Sequence, residues 1–211
     1  MDSYLSDGLS AEAALLLDAA IASFSTLGYH GTTTRHLAKA VAKSPAAVYM
    51  HYESKHELLF QIIVRGHRAL LELLAAAAAS SDDPVAQLSA MAKTHAEFHA
   101  RHVAVARVAN YELHNLNPEA SETVLKLRRQ IADQVSDVIR RGATAGLFDV
   151  ADGALAGTAI LSMGIDVSRW YRDSGRLGPE QIGNAYAEFA LRMVGYRNPG
   201  RHPYRTPRGG T

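Results

Sequence analysis

The sequence lacks several residues and segments that would mark particular classes of protein. It contains no cysteine among 211 residues, which excludes disulfide bonds and thiolate metal sites. No uncharged apolar run reaches the roughly 18 residues needed to span a bilayer. The N-terminus has no basic segment followed by an apolar run, so no signal peptide is expected. We therefore expect a cytoplasmic protein that does not enter a membrane.

A further absence is confined to one part of the chain. The protein has 21 acidic residues, yet none of them lies between Asp18 and Glu53. The same interval contains the basic residues Arg35, Lys39 and Lys43. A surface without carboxylates can approach phosphates without repulsion. We therefore expect this interval to face a nucleic acid, although the net charge of the whole chain is only +1.

Within this interval the sequence predicts two short helices joined by a tight turn. Thr33 or Thr34 can cap the first helix. Ser44 provides an N-cap oxygen for the second helix, and Pro45 follows at the first helical position, where a missing N–H is tolerated. This is the helix-turn-helix pattern, in which the second helix enters the major groove of DNA.

The remainder of the chain predicts an all-α protein of about nine helices, because apolar residues recur at helical spacing and no segment alternates as a strand does. We expect an N-terminal three-helix helix-turn-helix domain at 1–54. A larger helical ligand-binding and dimerisation domain is expected at 55–197. The tail, 198–211, contains three prolines, three glycines and three arginines and is predicted to be disordered.

The first predicted helix covers residues 10–27. Gly28 is predicted to end it, because glycine tolerates the left-handed conformation common at helix C-termini. Residues 1–9 are expected to be frayed. The face of this helix that is expected to point inward carries Ala14, Leu15, Ala19, Ile21, Ala22 and Phe24.

Two segments of the interval resemble a known family. They are G-Y-H-G-T-T-T-R-H-L-A at 28–38 and S-P-A-A-V-Y-M-H-Y-E-S-K at 44–55. Together they resemble the DNA-binding domain of TetR-family transcriptional repressors. The resemblance covers about residues 10–60 with the usual spacings, and the predicted helix lengths beyond it fit the family's nine-helix plan. It implies a homodimeric repressor that responds to a ligand.

The sequence departs from the family pattern at two positions. The turn that usually reads Ala-Gly-Val in the family is Val41-Ala42-Lys43 here, and His36 stands where the family usually has Asp or Glu. If the turn requires a positive φ at Ala42, alanine costs about 1 kcal/mol relative to glycine. Neither departure changes the family that the sequence resembles.

The resemblance assigns Tyr49 and Lys55 to phosphate contacts, and the threonines at the start of the first helix are further phosphate donors. An alternative for Tyr49 is a core position between two helices. The short side chains of the second helix permit close approach to base edges, with DNA shape carrying much of the affinity. The residues predicted to bind DNA are Thr33, Thr34, Lys43, Pro45, Ala46, Ala47, Tyr49, His51 and Lys55.

A single helix-turn-helix contacts too little DNA to select one operator. We therefore expect a homodimer on a palindromic operator whose half-sites are about 34–36 Å apart. The expected interface is formed by the eighth and ninth predicted helices. The eighth begins at Asp149 or Asp152 and continues to about residue 172, and the ninth covers about 180–196. Small residues form facing stripes on them: Ala154, Gly157, Leu161 and Gly164 on one helix, and Ala185, Ala187, Ala190, Leu191 and Val194 on the other. The alternative is that these residues pack inside one subunit.

The larger domain is expected to bind a small hydrophobic effector that releases the operator. The segment V-S-R-W-Y-R-D-S-G-R-L at 167–177 resembles the end of the eighth helix in family members that respond to fatty-acyl or steroid-derived CoA thioesters. Its arginines, with Arg101 and Arg107, are candidates for CoA phosphates. An acyl-CoA thioester is therefore one candidate effector, and no cofactor is implied. The predicted ligand contacts are Phe98, Tyr111, Ile131, Met163, Arg169 and Trp170.

A row of histidines supports a competing interpretation. His95, His99 and His102 are spaced so that they share one face of a continuous helix. Neutral imidazole binds Zn²⁺ or Ni²⁺, so a metal-dependent enzyme or a metal-responsive regulator is the alternative. The sequence has no H-E-x-x-H, G-x-S-x-G or phosphate-loop pattern, and we therefore favour a regulator over an enzyme.

Overall fold

A computed structural model describes residues 3–197, and every regular element within that range is helical. The helices are α1 (Ser3–Ser6), α2 (Ala11–Gly31), α3 (Thr34–Ala40), α4 (Pro45–Tyr49), α5 (Lys55–Ala79), α6 (Pro84–Arg101), α7 (Val103–Tyr111), α8 (Pro118–Thr144), α9 (Gly153–Trp170) and α10 (Pro179–Met193), with a 3₁₀ turn at Leu113–Asn115. The predicted all-α class is confirmed, and α2 to α10 correspond to the nine predicted helices. The predicted disordered tail, 198–211, lies outside the described residues.

The sequence explains where the helices of the N-terminal domain begin. The side-chain oxygens of Thr33, Ser44 and Ser54 each accept a hydrogen bond from the backbone N–H three residues later, at 3.2, 3.3 and 3.0 Å. Pro45 is the first residue of α4, as its position after Ser44 predicts. These caps satisfy N–H groups that have no partner inside the helix. The predicted helix-turn-helix is thereby confirmed.

The inward face of α2 differs from the predicted one. Gly28 has φ 72° and ends the regular helix where the sequence predicts. However, Leu15 is 49% exposed and Ala22 is exposed, so their predicted inward orientation is wrong. Two adjacent rows of this alanine- and leucine-rich helix are apolar, and periodicity alone does not choose between them. The buried row is Ala13, Leu16, Leu17, Ala20, Ile21 and Phe24.

The described part of the N-terminal segment is more ordered than predicted. Residues 3–6 form α1, which packs against α5. Leu5 is buried, and Arg65 Nη1 donates hydrogen bonds to the carbonyl oxygens of Leu5 and Asp7, at 3.3 and 3.0 Å. The expectation of a frayed 1–9 is therefore wrong for the described residues, because the stabilising partner lies on a distant helix.

Helix α5 takes part in two hydrophobic cores. Its first half, with Leu58 and Ile62, packs in one core with α2, α3, α7 and the start of α8. Its second half, with Leu70 and Leu74, packs in another core with α6, α8, α9 and α10. The predicted domain boundary between residues 54 and 55 falls at the start of this shared helix and stays a prediction.

Among the described helices, α2 is the one that is long and apolar enough, by length and composition, to cross a membrane. A core helix of a globular protein meets the same criterion. The buried row of α2 packs in the N-terminal core against α5 and α7. The burial of this row accounts for its apolar composition.

Most residues of the two predicted small-residue stripes on α9 and α10 are buried, whereas Ala154 is exposed and Ala185 is half-buried. Gly157 lies against Ser136 of α8, and Gly164 lies against the ring of His95 on α6. Ala190 is fully buried where α10 packs on α6. Gly157, Gly164 and Ala190 are therefore not available to a subunit interface, and an interface through other residues of these two helices stays a prediction. The large apolar residues that α9 and α10 expose instead are Leu155, Trp170, Phe189 and Met193.

Candidate functional site

Helix α4 presents small side chains on the surface of the N-terminal domain. Val48 is buried and anchors the helix to the core. Pro45 and Ala46 are exposed, and Ala47 is half-buried. The outward side of α4 is therefore flat enough for its backbone to approach a DNA groove closely.

Tyr49 lies at the end of α4, and its side chain is on the surface. It is 53% exposed, and its hydroxyl donates a hydrogen bond to Thr34 Oγ1 at 3.4 Å. The alternative of a core position for Tyr49 is therefore wrong. Tyr52 occupies a buried position instead, and its hydroxyl donates to the carbonyl oxygen of Ala13 at 2.9 Å.

A carboxylate from α2, outside the acid-free interval, reaches the predicted DNA-binding face, which is the surface formed by the residues predicted to bind DNA. Glu12 Oε1 lies 3.0 Å from Lys43 Nζ, and Glu12 Oε2 lies 3.3 Å from His51 Nε2. The hydrogen bond and the charge of Lys43, followed by the interactions with His51, lower the pKa of the Glu12 carboxyl. Lys43 and His51, two of the predicted DNA contacts, are therefore paired with a carboxylate. The sequence does not indicate this pairing, because Glu12 and Lys43 are 31 residues apart.

Lys55 supports the end of α2 from the first position of α5. Its Nζ donates to the carbonyl oxygens of Tyr29 and Thr32, both at 2.8 Å, and lies 4.1 Å from the centroid of the Tyr29 ring. Burial lowers the pKa of Lys55. An ammonium group has three donors, and one remains for a phosphate. The predicted phosphate contact of Lys55 therefore stays a prediction.

The turn between α3 and α4 requires a left-handed backbone. Ala42 has φ 53° and is the one described non-glycine residue with a positive φ. The N–H of Lys43 donates to the carbonyl oxygen of Ala38 at 2.9 Å and closes the turn. The family's glycine would adopt this conformation without the steric cost that alanine bears.

The larger domain has a partly open cavity of about 180 Å³ between α5, α6, α7, α8 and α9. Apolar side chains form much of its wall, and a histidine or an arginine enters it from three of the helices. The residues that line it are His67, Leu70, His95, His99, Asn110, Arg128, Ile131, Ala132, Thr158, Leu161, Ser162 and Ile165.

The lining differs from the predicted set of ligand contacts. Ile131 lines the cavity, and Phe98 borders a neighbouring space of about 20 Å³. Helix α9 reaches the cavity through residues spaced at 158, 161, 162 and 165, and Met163 is out of phase with them. The predicted contacts outside both spaces are Tyr111, Met163, Arg169 and Trp170, and Arg169 is paired with Asp166 at 2.7 Å.

Two histidines of the predicted row are in the cavity and the third is not. The rings of His95 and His99 are 4.5 Å apart, and His99 Nδ1 lies 2.9 Å from the carbonyl oxygen of His95. His102 follows the end of α6 with φ −115° and ψ 45°, and its ring lies beside Phe98. No group of three or more metal-ligating side chains occurs within residues 3–197. The metal interpretation therefore finds no support, because the helix ends before the third histidine.

The cavity histidines are neutral at pH 7. Burial lowers the pKa of His67 and of His99 to about 4, and lowers the pKa of His95 well below its ordinary value. His67 Nδ1 lies 2.8 Å from the carbonyl oxygen of Ile63, so the proton of the neutral ring is on Nδ1 and Nε2 is an acceptor.

Arg128 is the cation of the cavity, and its bonds connect three helices. Its Nε donates to His67 Nε2 at 3.1 Å, and its Nη2 donates to the carbonyl oxygen of Ala109 and to Asn110 Oδ1, both at 3.2 Å. Burial lowers the pKa of Arg128, but an arginine remains charged at pH 7. Sequence reasoning missed both Arg128 and His67. The available signal was that Arg128 interrupts the apolar row of α8 that contains Val124 and Ile131.

Comparison with known proteins gives two family matches and one curated relative. The family described as "Bacterial regulatory proteins, tetR family" matches residues 16–62, and "Tetracyclin repressor-like, C-terminal domain" matches residues 81–194. The chain is similar to the HTH-type transcriptional repressor KstR2 of Rhodococcus jostii strain RHA1. The two are 26% identical over 191 residues, which cover 87% of this chain and 91% of the relative.

Solved structures with the same fold extend this result. A tetR-family regulatory protein from Rhodococcus RHA1 is 39% identical, with a TM-score of 0.85 over 90% of this chain and 100% of that chain. AibR in complex with isovaleryl coenzyme A and operator DNA is 21% identical, with a TM-score of 0.79 over 88% of this chain and 100% of that chain. The second likeness concerns the fold alone. The matched ranges contain both the helix-turn-helix and most of the cavity, and the chain therefore belongs to the TetR family of transcriptional repressors.

Proposed function

We propose that the protein is a cytoplasmic repressor that binds palindromic operator DNA as a homodimer and is released by a small hydrophobic effector. The observation that carries this proposal is the continuity of α5. The helix begins beneath the helix-turn-helix at Lys55 and lines the cavity with His67 and Leu70. An effector in the cavity therefore touches the helix that supports the DNA-binding face.

The predicted DNA contacts keep their proposed roles. The exposure of Pro45, Ala46 and Tyr49 supports direct contact with DNA. A hydroxyl row formed by Thr34 and Tyr49 suits phosphate oxygens, which accept such hydrogen bonds. The predicted set as a whole comprises Thr33, Thr34, Lys43, Pro45, Ala46, Ala47, Tyr49, His51 and Lys55.

The proposed subunit interface uses the outer faces of α9 and α10. These helices correspond to the eighth and ninth predicted helices. Leu155 and Phe189 are exposed large apolar residues on them, as are Trp170 and Met193. Aromatic residues and methionine are enriched at the cores of interfaces between subunits. Association through these faces would remove their apolar surface from water.

The effector is proposed to place an apolar group in the cavity. A cavity of about 150 Å³ is known to hold benzene, so about 180 Å³ holds about seven to nine non-hydrogen atoms. The acyl-CoA hypothesis then requires that only the acyl group enters, while the CoA part stays outside. Exposed Arg169 lies one helical turn beyond Ile165 and is a candidate contact for that part. AibR, which binds isovaleryl coenzyme A, has the same fold.

A gel-shift experiment with the promoter of the protein's own gene tests the DNA-binding part of this proposal. We expect the purified homodimer to retain the promoter, and Ala46→Glu to abolish retention because it adds a carboxylate at the exposed side of α4. Ala143→Glu, on the exposed end of α8, is the matched control and should retain the promoter. A monomer at micromolar concentration, or full retention by the Ala46→Glu variant, would contradict the proposal.

A further inference from the structure

We propose that the cavity binds the anion of a small apolar carboxylic acid, with the carboxylate on the guanidinium of Arg128. This proposal rests on the proposed function, since it names the chemical class of the effector. It differs from the acyl-CoA hypothesis because it requires the free acid and not its thioester.

The first observation is that the charge of Arg128 has no counter-charge within the described chain. The side chain is half-buried, and no carboxylate of the described chain is within ion-pair distance of its guanidinium. Its partners are a neutral imidazole, a carbonyl oxygen and a side-chain amide oxygen. A charge that is withdrawn from water without an opposite charge is unfavourable, and an anionic ligand removes that penalty.

The second observation is that hydrogen bonds hold the guanidinium of Arg128 in place while its Nη1 remains available as a donor. Nε and Nη2 are fixed by His67, Ala109 and Asn110, which come from two other helices. Within residues 3–197, Nη1 has no hydrogen-bond partner. An arginine fixed through part of its fork binds a carboxylate with little further loss of side-chain freedom.

The third observation is that the histidines do not compete with Arg128 for an anion. His67 is a neutral acceptor toward Arg128 and orients it. His99 donates its Nδ1 proton to the carbonyl oxygen of His95, which leaves an unprotonated Nε2. Positive charge in the cavity is therefore concentrated on one side chain, and a single carboxylate matches it.

The rest of the cavity sets the size and polarity of the acid. Leu70, Ile131, Leu161 and Ile165 form an apolar wall. The volume of about 180 Å³ accommodates about seven to nine non-hydrogen atoms, as in isovalerate, hexanoate or benzoate. The CoA thioester of the same acid is several times larger and does not fit inside.

Calorimetric titration of the full-length protein tests the proposal with pairs of ligands that match in shape. We expect at least one of isovalerate, hexanoate and benzoate to bind at least about tenfold more tightly than its own uncharged amide, the ratio that a charge-assisted hydrogen bond provides. The ligand that binds should also release promoter DNA in the gel shift. Arg128→Gln should abolish the preference for the acid.

Two further variants separate ligand binding from a merely structural role of Arg128. Arg128→Lys keeps the charge and should keep a reduced preference for the acid over the amide. Arg129→Gln removes the neighbouring exposed arginine of α8 and should leave the preference unchanged. If Arg128→Gln fails to fold, the test compares the Arg128→Lys variant with the wild type. The ratio of the affinities for the acid and for its amide should then be smaller in the variant than in the wild type.

The possible outcomes distinguish this proposal from the proposed function. Equal binding of acid and amide, or no binding of any of the three acids, overturns the anion proposal while promoter retention still supports a repressor. Binding of hexanoyl-CoA without binding of hexanoate also overturns it and favours the thioester. Loss of promoter retention by the wild-type protein contradicts the proposed function itself, whatever the acids do.

Discussion

At the predicted DNA-binding face, the charged side chains are exposed, whereas the polar groups of the cavity are largely withdrawn from water and come from separate helices. Water solvates the Lys43 and Glu12 pair, so that substituting either residue is expected to change the free energy of unfolding very little. The Arg128 and His67 pair is shielded from water by the surrounding helices. Adding or removing a charge on either side chain is therefore expected to cost more free energy than at the surface. The two regions are thus expected to respond differently to the same kind of change.

The largest expected effect is the dependence of stability on pH, and it arises from the buried histidines of the cavity. Unfolded histidines bind protons below about pH 6.5, while His67 and His99 in the folded protein do so only near pH 4. The unfolded state therefore gains protons first as the pH falls, and the free energy of unfolding decreases between pH 6.5 and pH 4. We expect a decrease of about 2 kcal/mol per histidine from pH 7 to pH 5.

Urea denaturation at the two pH values measures this effect. The His99→Gln variant should lose about 2 kcal/mol less than the wild type over the same interval. His36→Gln, at an exposed position of α3, is the control and should behave as the wild type. The pH prediction is falsified if the wild type is equally stable at both values.

The next effect concerns the packing of α9 against the histidines. A methyl group at Gly164 would collide with the ring of His95, which is buried and lies 4.5 Å from the ring of His99. We expect Gly164→Ala to lower the free energy of unfolding by about 1–3 kcal/mol, the usual cost of overpacking a core. In a protein that also carries His95→Ala the cost should largely disappear. Additive effects of the two substitutions would show that the contact is unimportant.

A smaller effect is expected at the DNA-binding face. Glu12→Gln frees Lys43 and His51 from their acidic partner, so that both can bind phosphates. We expect about two- to fivefold tighter promoter binding and a steeper dependence on salt, by about 0.9 in the logarithmic slope if one phosphate contact is gained. Fluorescence anisotropy at several salt concentrations measures both.

The matched control for that prediction is Glu53→Gln. It changes the net charge equally, but Glu53 is exposed and forms no ion pair within residues 3–197. If both variants bind the promoter more tightly by the same factor, the effect comes from the net charge of the protein. The ion pairs of Glu12 with Lys43 and His51 would then not explain it.

The smallest effect is expected in the turn of the helix-turn-helix. Ala42 has φ 53°, which costs alanine about 1 kcal/mol, while glycine costs somewhat more entropy on folding. Ala42→Gly should therefore stabilise the protein by about 0.5 kcal/mol in thermal or urea denaturation. Ala46→Gly, within α4, should destabilise it, because that residue is helical.

The two regions also differ in how far the sequence predicts them. The helix-turn-helix depends on local contacts. Thr33 and Ser44 each accept a hydrogen bond from an N–H three residues later, and Pro45 directly follows Ser44, so that the local sequence is enough to predict the caps and the turn. The cavity depends on where Arg128 meets His67, which are 61 residues apart. No local rule predicts that contact.

Ambiguities of helical periodicity account for other errors. On α2, the rows containing Leu15 and Leu16 are both apolar, and only packing decides which one is buried. On α9, a stripe of small residues suits an interface between subunits as well as it suits an interior contact. Gly164 makes an interior contact, because the ring of His95 occupies the space where a side chain at position 164 would lie.

The length of α5 between the helix-turn-helix and the cavity sets a scale for the movement that the proposed effector would cause. Lys55 and His67 are twelve residues apart on this helix, a distance of about 18 Å. A tilt of about 5° around His67 therefore displaces Lys55 sideways by about 1.6 Å. That displacement is about half the length of a hydrogen bond to a phosphate, so that a small tilt of α5 would break such a contact.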